Sequence, residues 1–267
     1  MMALIELEGV SKAFYADRKK SRARIALDML DLSIEQGEFV SLVGPSGCGK
    51  TLTLNLIAGF QKPSIGQVRF KGKRVAGPGP ERGVVFQEYS LFPWLSAKDN
   101  VVYALRNALR GRGARLSAQE LDKRAMHALA TVGLQDAADS WPNTLSGGMK
   151  QRVAIARLLA MDSEVLLMDE PFSALDEQMR QRLDEGMLQL WRHEGKTIVF
   201  VTHDIAEAVR ISSRIVLFSD SPGRVLGQWS LPDAGKRDPL ASPYREVGDQ
   251  VRALLPSTSC QFSFGQE

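Results

Sequence analysis

Residues 40–51 read Val-Ser-Leu-Val-Gly-Pro-Ser-Gly-Cys-Gly-Lys-Thr, a short apolar strand that runs straight into a Gly-x-x-x-x-Gly-Lys-Thr loop. Thr51 to Ala58 then reads as a helix ended by Gly59. Strand, glycine loop and helix in that order predict a layered α/β core with a mostly parallel sheet. Gly44, Gly47 and Gly49 let the backbone turn with its N–H groups pointing inward, where no side chain blocks a phosphate oxygen. Lys50 supplies a point charge for the outer phosphates, and Thr51 offers a hydroxyl to Mg²⁺. The helix start adds the positive end of its dipole. The whole loop, Gly44, Pro45, Ser46, Gly47, Cys48, Gly49, Lys50 and Thr51, is therefore the expected phosphate cradle. Cys48 reads as a small tolerated residue, since no base or second thiol adjoins it in sequence.

With 267 residues, 44% hydrophobic and 24% charged, the chain reads as an ordinary globular protein with a substantial core. A net charge of +3 gives little support to nucleic-acid binding. The basic clusters at Arg18 to Arg24 and Lys71 to Arg74 read as solvated loops. Two cysteines, Cys48 and Cys260, cannot make a disulfide framework, which fits a reducing compartment. The amino terminus alternates like a strand and lacks the apolar core of a signal peptide. No apolar run approaches the roughly 18 residues that span a bilayer, so a membrane role has to come through a partner.

Residues 4 to 10 predict a half-exposed strand and Phe39 to Val43 a buried one. Gly66 to Gly77 predicts an antiparallel edge hairpin, and Val84 to Phe86 a further apolar strand. From Leu91 to Thr144 the helical spacing of Ala, Leu, Arg and Gln predicts an inserted subdomain of about three helices. Val165 to Met168 and Ile198 to Val201 return to short buried runs of parallel type. Beyond Ser221 the composition reads as loop and tail, with a weak helix near Glu246 to Leu255.

Ligands of open α/β sheets collect at the carboxyl ends of the strands, and here four apolar strands end on residues suited to ATP-Mg chemistry. The first ends in the glycine loop, the second in Gln87, the third in Asp169-Glu170 and the fourth in Thr202-His203. Asp169 is placed to hold Mg²⁺ directly or through water, with Thr51 and Gln87 as companions. Glu170, turned to another face by strand alternation, is the candidate to take the proton of the attacking water. His203 is the candidate to sense or stabilise the γ-phosphate. A second anion-binding helix start follows Leu145: Ser146, Gly147, Gly148 and Met149 precede Val153 to Ala160. If it cannot reach the same nucleotide, it must meet the ATP of a neighbouring subunit.

With these residues in place, the chain resembles the nucleotide-binding subunit of an ATP-binding cassette (ABC) transporter over roughly residues 4 to 220. The order matches: phosphate loop, Gln87, signature Leu145 to Met149, acidic strand Val165 to Glu170, the Ser173-Ala174-Leu175-Asp176 turn and His203. The resemblance implies a head-to-tail homodimer in which each ATP lies between one subunit's phosphate loop and the other's signature. It also implies an aromatic ring on adenine at Phe14, with Tyr15 a nearby rival, and a D-loop role for Asp176. Glu81 to Gln87, Leu91-Phe92-Pro93-Trp94 and Ser221 to Val225 resemble the nitrate, sulfonate and taurine importers. Two departures, Leu52 after Thr51 and Met149 for the usual Gln, remove nothing essential.

These readings imply a cassette over residues 1–220, a helical insert at about 91–150 and an extension at 221–267. The implied function is ATP hydrolysis that powers import of a small oxyanion or organic solute. The implied partners are ATP and Mg²⁺, an integral membrane permease and, indirectly, a periplasmic or lipid-anchored binding protein, with no nucleic acid. The implied place is the cytoplasmic face of the inner membrane, as a peripheral subunit. Residues 89–100, close to Gln87, are expected either to receive a permease helix or to pack in the core. The alternative is a soluble ABC ATPase acting on nucleic acid or the ribosome.

Overall fold

Every residue of Phe39–Val43, Val165–Asp169 and Thr197–Val201 is buried, as expected for strands covered on both faces. They belong to a computed structural model that describes residues 3–15, 23–231 and 241–255. Cys260, residues 18–22 of the first basic cluster, and the parts of the extension at 232–240 and 256–267 lie outside the described residues.

In chain order the elements are β1 (Ile5–Tyr15), β2 (Ala23–Ile34), β3 (Phe39–Val43), α1 (Lys50–Ala58), β4 (Ile65–Phe70), β5 (Lys73–Arg74) and β6 (Arg82–Val85). Next come α2 (Ala97–Gly111), α3 (Ala118–Thr131), α4 (Gly147–Ala160), β7 (Val165–Asp169) and α5 (Glu177–Glu194). The last are β8 (Thr197–Val201), α6 (Ile205–Ile211), β9 (Arg214–Phe218), β10 (Val225–Ser230) and α7 (Tyr244–Leu254). A six-stranded sheet runs β10-β9-β3-β8-β7-β6, parallel except for β10 at its edge. A four-stranded antiparallel sheet runs β2-β1-β4-β5. Fold class is as the sequence predicts: a phosphate-loop core, an antiparallel β edge subdomain and a helical subdomain.

The two sheets enclose one apolar cluster. Ile5, Leu30 and Ile34 of the small sheet meet Val40, Leu42 and Val199 of the large one, and Leu54 and Ile57 of α1 fill the space between. Helix α1 starts where only glycine fits. Gly49 has φ 100, and a Cβ on it would stand 2.5 Å from Leu27 Cδ2. It stops at Gly59, whose φ of 85 closes the last turn. A second cluster joins the large sheet to α2, α3 and α4 through Val101, Leu105, Leu129 and Ile155.

Three sequence expectations change. The helical insert holds two helices, α2 and α3, before the signature helix α4, and the stretch between is two 3₁₀ turns at Gln135–Ala137 and Pro142–Thr144. Pro142 lacks the N–H and fixes the φ that keep such a segment short. Neither basic cluster is wholly loop: Arg24 lies in β2, opposite Phe14, and Lys73–Arg74 form β5, paired with β4. Residues 225–230, expected as loop, form β10, paired with β9. The helix near Glu246 is α7, and its Val251 is fully buried with Val209, Leu217 and Leu231 in a third cluster. Packing against α6 and β10, rather than propensity, fixes these late elements.

Candidate functional site

The carboxyl ends of β3, β6, β7 and β8 open on one cleft of about 860 Å³. Phe14, Ser46, Gly47, Gly49, Lys50, Thr51, Gln87, Glu170 and His203 line it, joined by Arg24 and Ser221. Tyr15 is not among the lining residues, so of the two aromatic candidates it is Phe14 that faces the cleft. Lys50 is almost buried, and its ammonium donates to the carbonyls of Gly44 and Pro45 at 2.7 Å each. Cys48 is fully buried behind the loop, and burial pushes its thiol up, away from the thiolate that nucleophilic chemistry needs.

Asp169 ends β7 at 4% exposure and accepts a hydrogen bond from the Thr51 hydroxyl at 3.0 Å. Burial pushes this carboxyl up, the Thr51 bond opposes the rise, and the neighbouring Glu170 adds to it. The two oxygens stand about as far apart as adjacent ligands on magnesium, whose 2.0–2.1 Å bonds at right angles span roughly 2.9 Å. An all-oxygen pair next to a phosphate loop fits a hard cation that keeps several waters. Such a cation would hold Asp169 ionised despite its burial.

Glu170 does not continue the strand. It follows β7 with φ 45, a left-handed conformation that costs a non-glycine residue on the order of 1 kcal/mol or more. Its N–H donates to Val201 O at 3.0 Å, and its carbonyl accepts from the Ser173 hydroxyl at 3.0 Å, which hold the turn. The sequence reading had strand alternation turning this side chain; the left-handed turn does it instead. The carboxylate lies 3.6 Å from His203 Nδ1, across the ends of β7 and β8.

The signature residues stand elsewhere. Ser146 and Gly147 are exposed, and the Ser146 hydroxyl accepts from Met149 N at 3.3 Å as the cap of α4. Neither these, Gly148, Met149 nor Asp176 lines the cleft. Asp176 caps α5 by accepting from Met179 N at 2.9 Å. The chain thus carries one glycine loop that lines the cleft and a second capped helix start, that of α4, which is exposed and lies outside it.

Sequence reasoning missed Arg24 and the structural part of Ser221 to Val225. Gly223 donates to Ala26 O at 2.9 Å and accepts from Asp28 N at 3.1 Å, while Arg224 pairs with Asp28. The segment therefore pins β2 to the back of the phosphate loop. Its Pro-Gly composition pointed to a turn but could not say what the turn touches.

Residues 27–173 match the family described as ABC transporter. The taurine import ATP-binding protein TauB of Chromobacterium violaceum is 47% identical over 246 residues, covering 91% of this chain and 89% of that protein. The nitrate import ATP-binding protein NrtC of Synechocystis is 46% identical over 85% of this chain, which spans 33% of that longer protein. Among solved structures, a dimeric post-hydrolysis state of the ATP-binding cassette MJ0796 bound to ADP and Pi superposes with a TM-score of 0.78 at 34% identity. It covers 86% of this chain and 99% of that one.

Proposed function

The chain belongs to the ABC transporter family, and from that premise we propose that it is the ATP-hydrolysing subunit of an importer for a small oxyanion or organic solute. The observation that carries the reading is the division of labour just described. Lys50, Thr51, Glu170 and His203 line one cleft, with Asp169 hydrogen-bonded to Thr51, while Ser146 is exposed and lines no part of that cleft. Two copies placed head to tail resolve this, each Ser146 closing the cleft of its twin, in keeping with the dimeric cassette that the fold resembles.

In this reading the cleft takes ATP with its adenine at Phe14 and its outer phosphates against Lys50 and the loop amides. Thr51 and Asp169, with Gln87 at hand, would hold magnesium, which would supply charge neutralisation on the phosphates. Glu170 accepts a proton from the attacking water at its carboxylate. His203, within reach of that carboxylate, orients the far end of the phosphate chain. Ser146, Gly147 and Gly148 of the facing subunit, with Met149 behind them, present backbone N–H groups and a helix start to the same phosphates. Asp176, on the turn before α5, is assigned to the D-loop that adjoins the partner.

Among the described residues no helix is long and apolar enough to cross a membrane, so coupling to transport requires a permease. The apolar surface for it is a groove of about 390 Å³ between the sheet and α2, lined by Phe60, Pro80, Phe86, Phe92, Tyr103 and Arg157. Phe92 has Tyr103 at 4.7 Å and Arg157 at 5.4 Å from its ring, whereas the neighbouring Trp94 is 68% exposed. The segment therefore packs through Phe92 and presents Trp94 outward, which suits a permease helix seated in the groove. The taurine and nitrate importers named among its relatives support the solute class. The subunit then works at the cytoplasmic face of the membrane, and a binding protein outside delivers the solute.

Purification from membranes with a polytopic partner, and ATPase activity abolished by Glu170→Gln, are the expected results. A soluble complex with nucleic acid, or turnover unchanged in that variant, would overturn the reading.

A further inference from the structure

We propose that Glu207 is the positioning residue for His203, acting through the hydroxyl of Thr202; the inference rests on reading Glu170 and His203 as the hydrolytic pair. His203 itself is loosely held. Its side chain is 68% exposed, and among the described residues its polar neighbour is the Glu170 carboxylate at 3.6 Å. What fixes the ring is therefore the backbone on either side of it.

That backbone is tied by a closed cycle of hydrogen bonds. The Thr202 hydroxyl donates to Glu207 Oε2 at 2.5 Å, Glu207 N donates to Asp204 Oδ1 at 3.2 Å, and Asp204 N donates to the Thr202 hydroxyl at 3.0 Å. A hydroxyl has a single proton. Because Glu207 takes it, the lone pairs of Thr202 are left for the Asp204 amide, and the cycle has one direction. Residue 203 is enclosed between its first and last members. Thr202 N also donates to Leu42 O at 3.3 Å, which ties the cycle to β3 and the base of the phosphate loop.

Packing does not do this work. A cavity of about 70 Å³ lies between Glu170, Thr202, His203 and Glu207, leaving the loop room to shift if the cycle opens. Glu207 is only 4% exposed, and a buried carboxylate is costly unless its hydrogen bonds return the energy. An apolar residue at this helix position would avoid that cost but could not receive the Thr202 proton. A Gln could, through its carbonyl oxygen.

The test measures ATP turnover and ATP binding of the whole chain carrying Thr202→Val, Glu207→Leu, both together, or Glu207→Gln. A displacement of His203 by about an ångström is expected to lower kcat roughly tenfold to hundredfold in Thr202→Val and in Glu207→Leu. The ATP Kd stays within about twofold, since Lys50 and the loop are untouched. The double variant is expected to be no slower than either single one. Glu207→Gln is expected to restore most of the turnover. In a His203→Ala background, Thr202→Val should change nothing further, whereas a merely structural lesion would still lower the rate.

Wild-type kcat in Thr202→Val, multiplying losses in the double variant, or a further loss on His203→Ala would overturn the proposal. If Glu207→Leu fails to fold by circular dichroism, Thr202→Val carries the test alone. Failure of the parent reading looks different: the wild-type chain would not turn over ATP, or Glu170→Gln would turn over normally.

Discussion

Gly223→Ala is a test of how the phosphate loop is supported from behind. Gly223 is not held in a left-handed conformation, so the substitution acts through space alone. A Cβ there would run into the carbonyl oxygen of Cys48, with the Cys48 carbonyl carbon at 3.2 Å and Leu27 Cδ2 at 3.0 Å. Backbone cannot yield as a side-chain tip does, so one of two things gives way. Either the pair of hydrogen bonds that join Gly223 to Ala26 and Asp28 opens, or the loop moves toward the cleft. Losing two backbone bonds costs about 1 kcal/mol each, and overpacking typically adds 1–3 kcal/mol, so a total loss of about 3–5 kcal/mol is expected. For a chain of this size that lowers Tm by roughly 6–20 °C. Whatever part is relieved by shifting the loop appears in ATP binding, where loss of one charge-assisted hydrogen bond is worth about tenfold in Kd. Thermal melts with and without ATP measure both parts. Gly186→Ala is the control, because nothing lies within 4 Å of its Cβ position in the exposed middle of α5; it should gain about 0.5–1 kcal/mol. A Gly223→Ala chain that melts within 1 °C of the parent and binds ATP equally well would refute the argument.

Lys50→Ala removes the one buried ammonium of the loop and is expected to weaken ATP binding by about 10- to 100-fold, read by titration with a fluorescent nucleotide. Trp94→Ala is expected to leave ATP turnover of the isolated subunit and its melting unchanged. Its capture of the permease in a pull-down should weaken by on the order of tenfold or more, and equal capture would move the docking surface elsewhere. Glu207 gives a pH signature. Burial, with Asp184 and Asp204 nearby and partly offset by the Thr202 hydroxyl, pushes its carboxyl from 4.5 to about 7. Folding therefore favours the protonated acid, so the contribution is complete below about pH 4.5 and lost as pH rises toward 7, at most about 3 kcal/mol. Glu207→Gln does not titrate and should gain stability relative to the parent between pH 5 and pH 7.5. A constant difference in urea midpoints across that range would contradict this.

The strands that carry the site were legible because they are buried on both faces. Runs such as Val165 to Met168 cannot be solvated, and their ends land at the cleft by the topology of a parallel sheet. The phosphate loop was legible because glycine spacing and Lys-Thr state its chemistry directly. Less legible was everything set by register and by contact across the chain. The pairing of Phe14 with Arg24 depends on how β1 and β2 align, with bulges along β1, and no local pattern encodes that. The left-handed turn at Glu170 gave no local signal, because glutamate rarely adopts it and only the bonds to Val201 and Ser173 enforce it. β10 has a half-exposed pattern and a Gly-Gln interior, so its strand character comes from pairing with β9 rather than from its own propensity.

The central claim is that each ATP is shared between two copies of the chain. A structure of the Glu170→Gln variant with ATP and magnesium tests it most directly, through the distance from the Ser146 hydroxyl to the γ-phosphate that Lys50 of the other protomer holds. Hydrogen-bond distance, about 3 Å, is the predicted result. A monomer, or a dimer in which Ser146 lies far from either nucleotide, would contradict it.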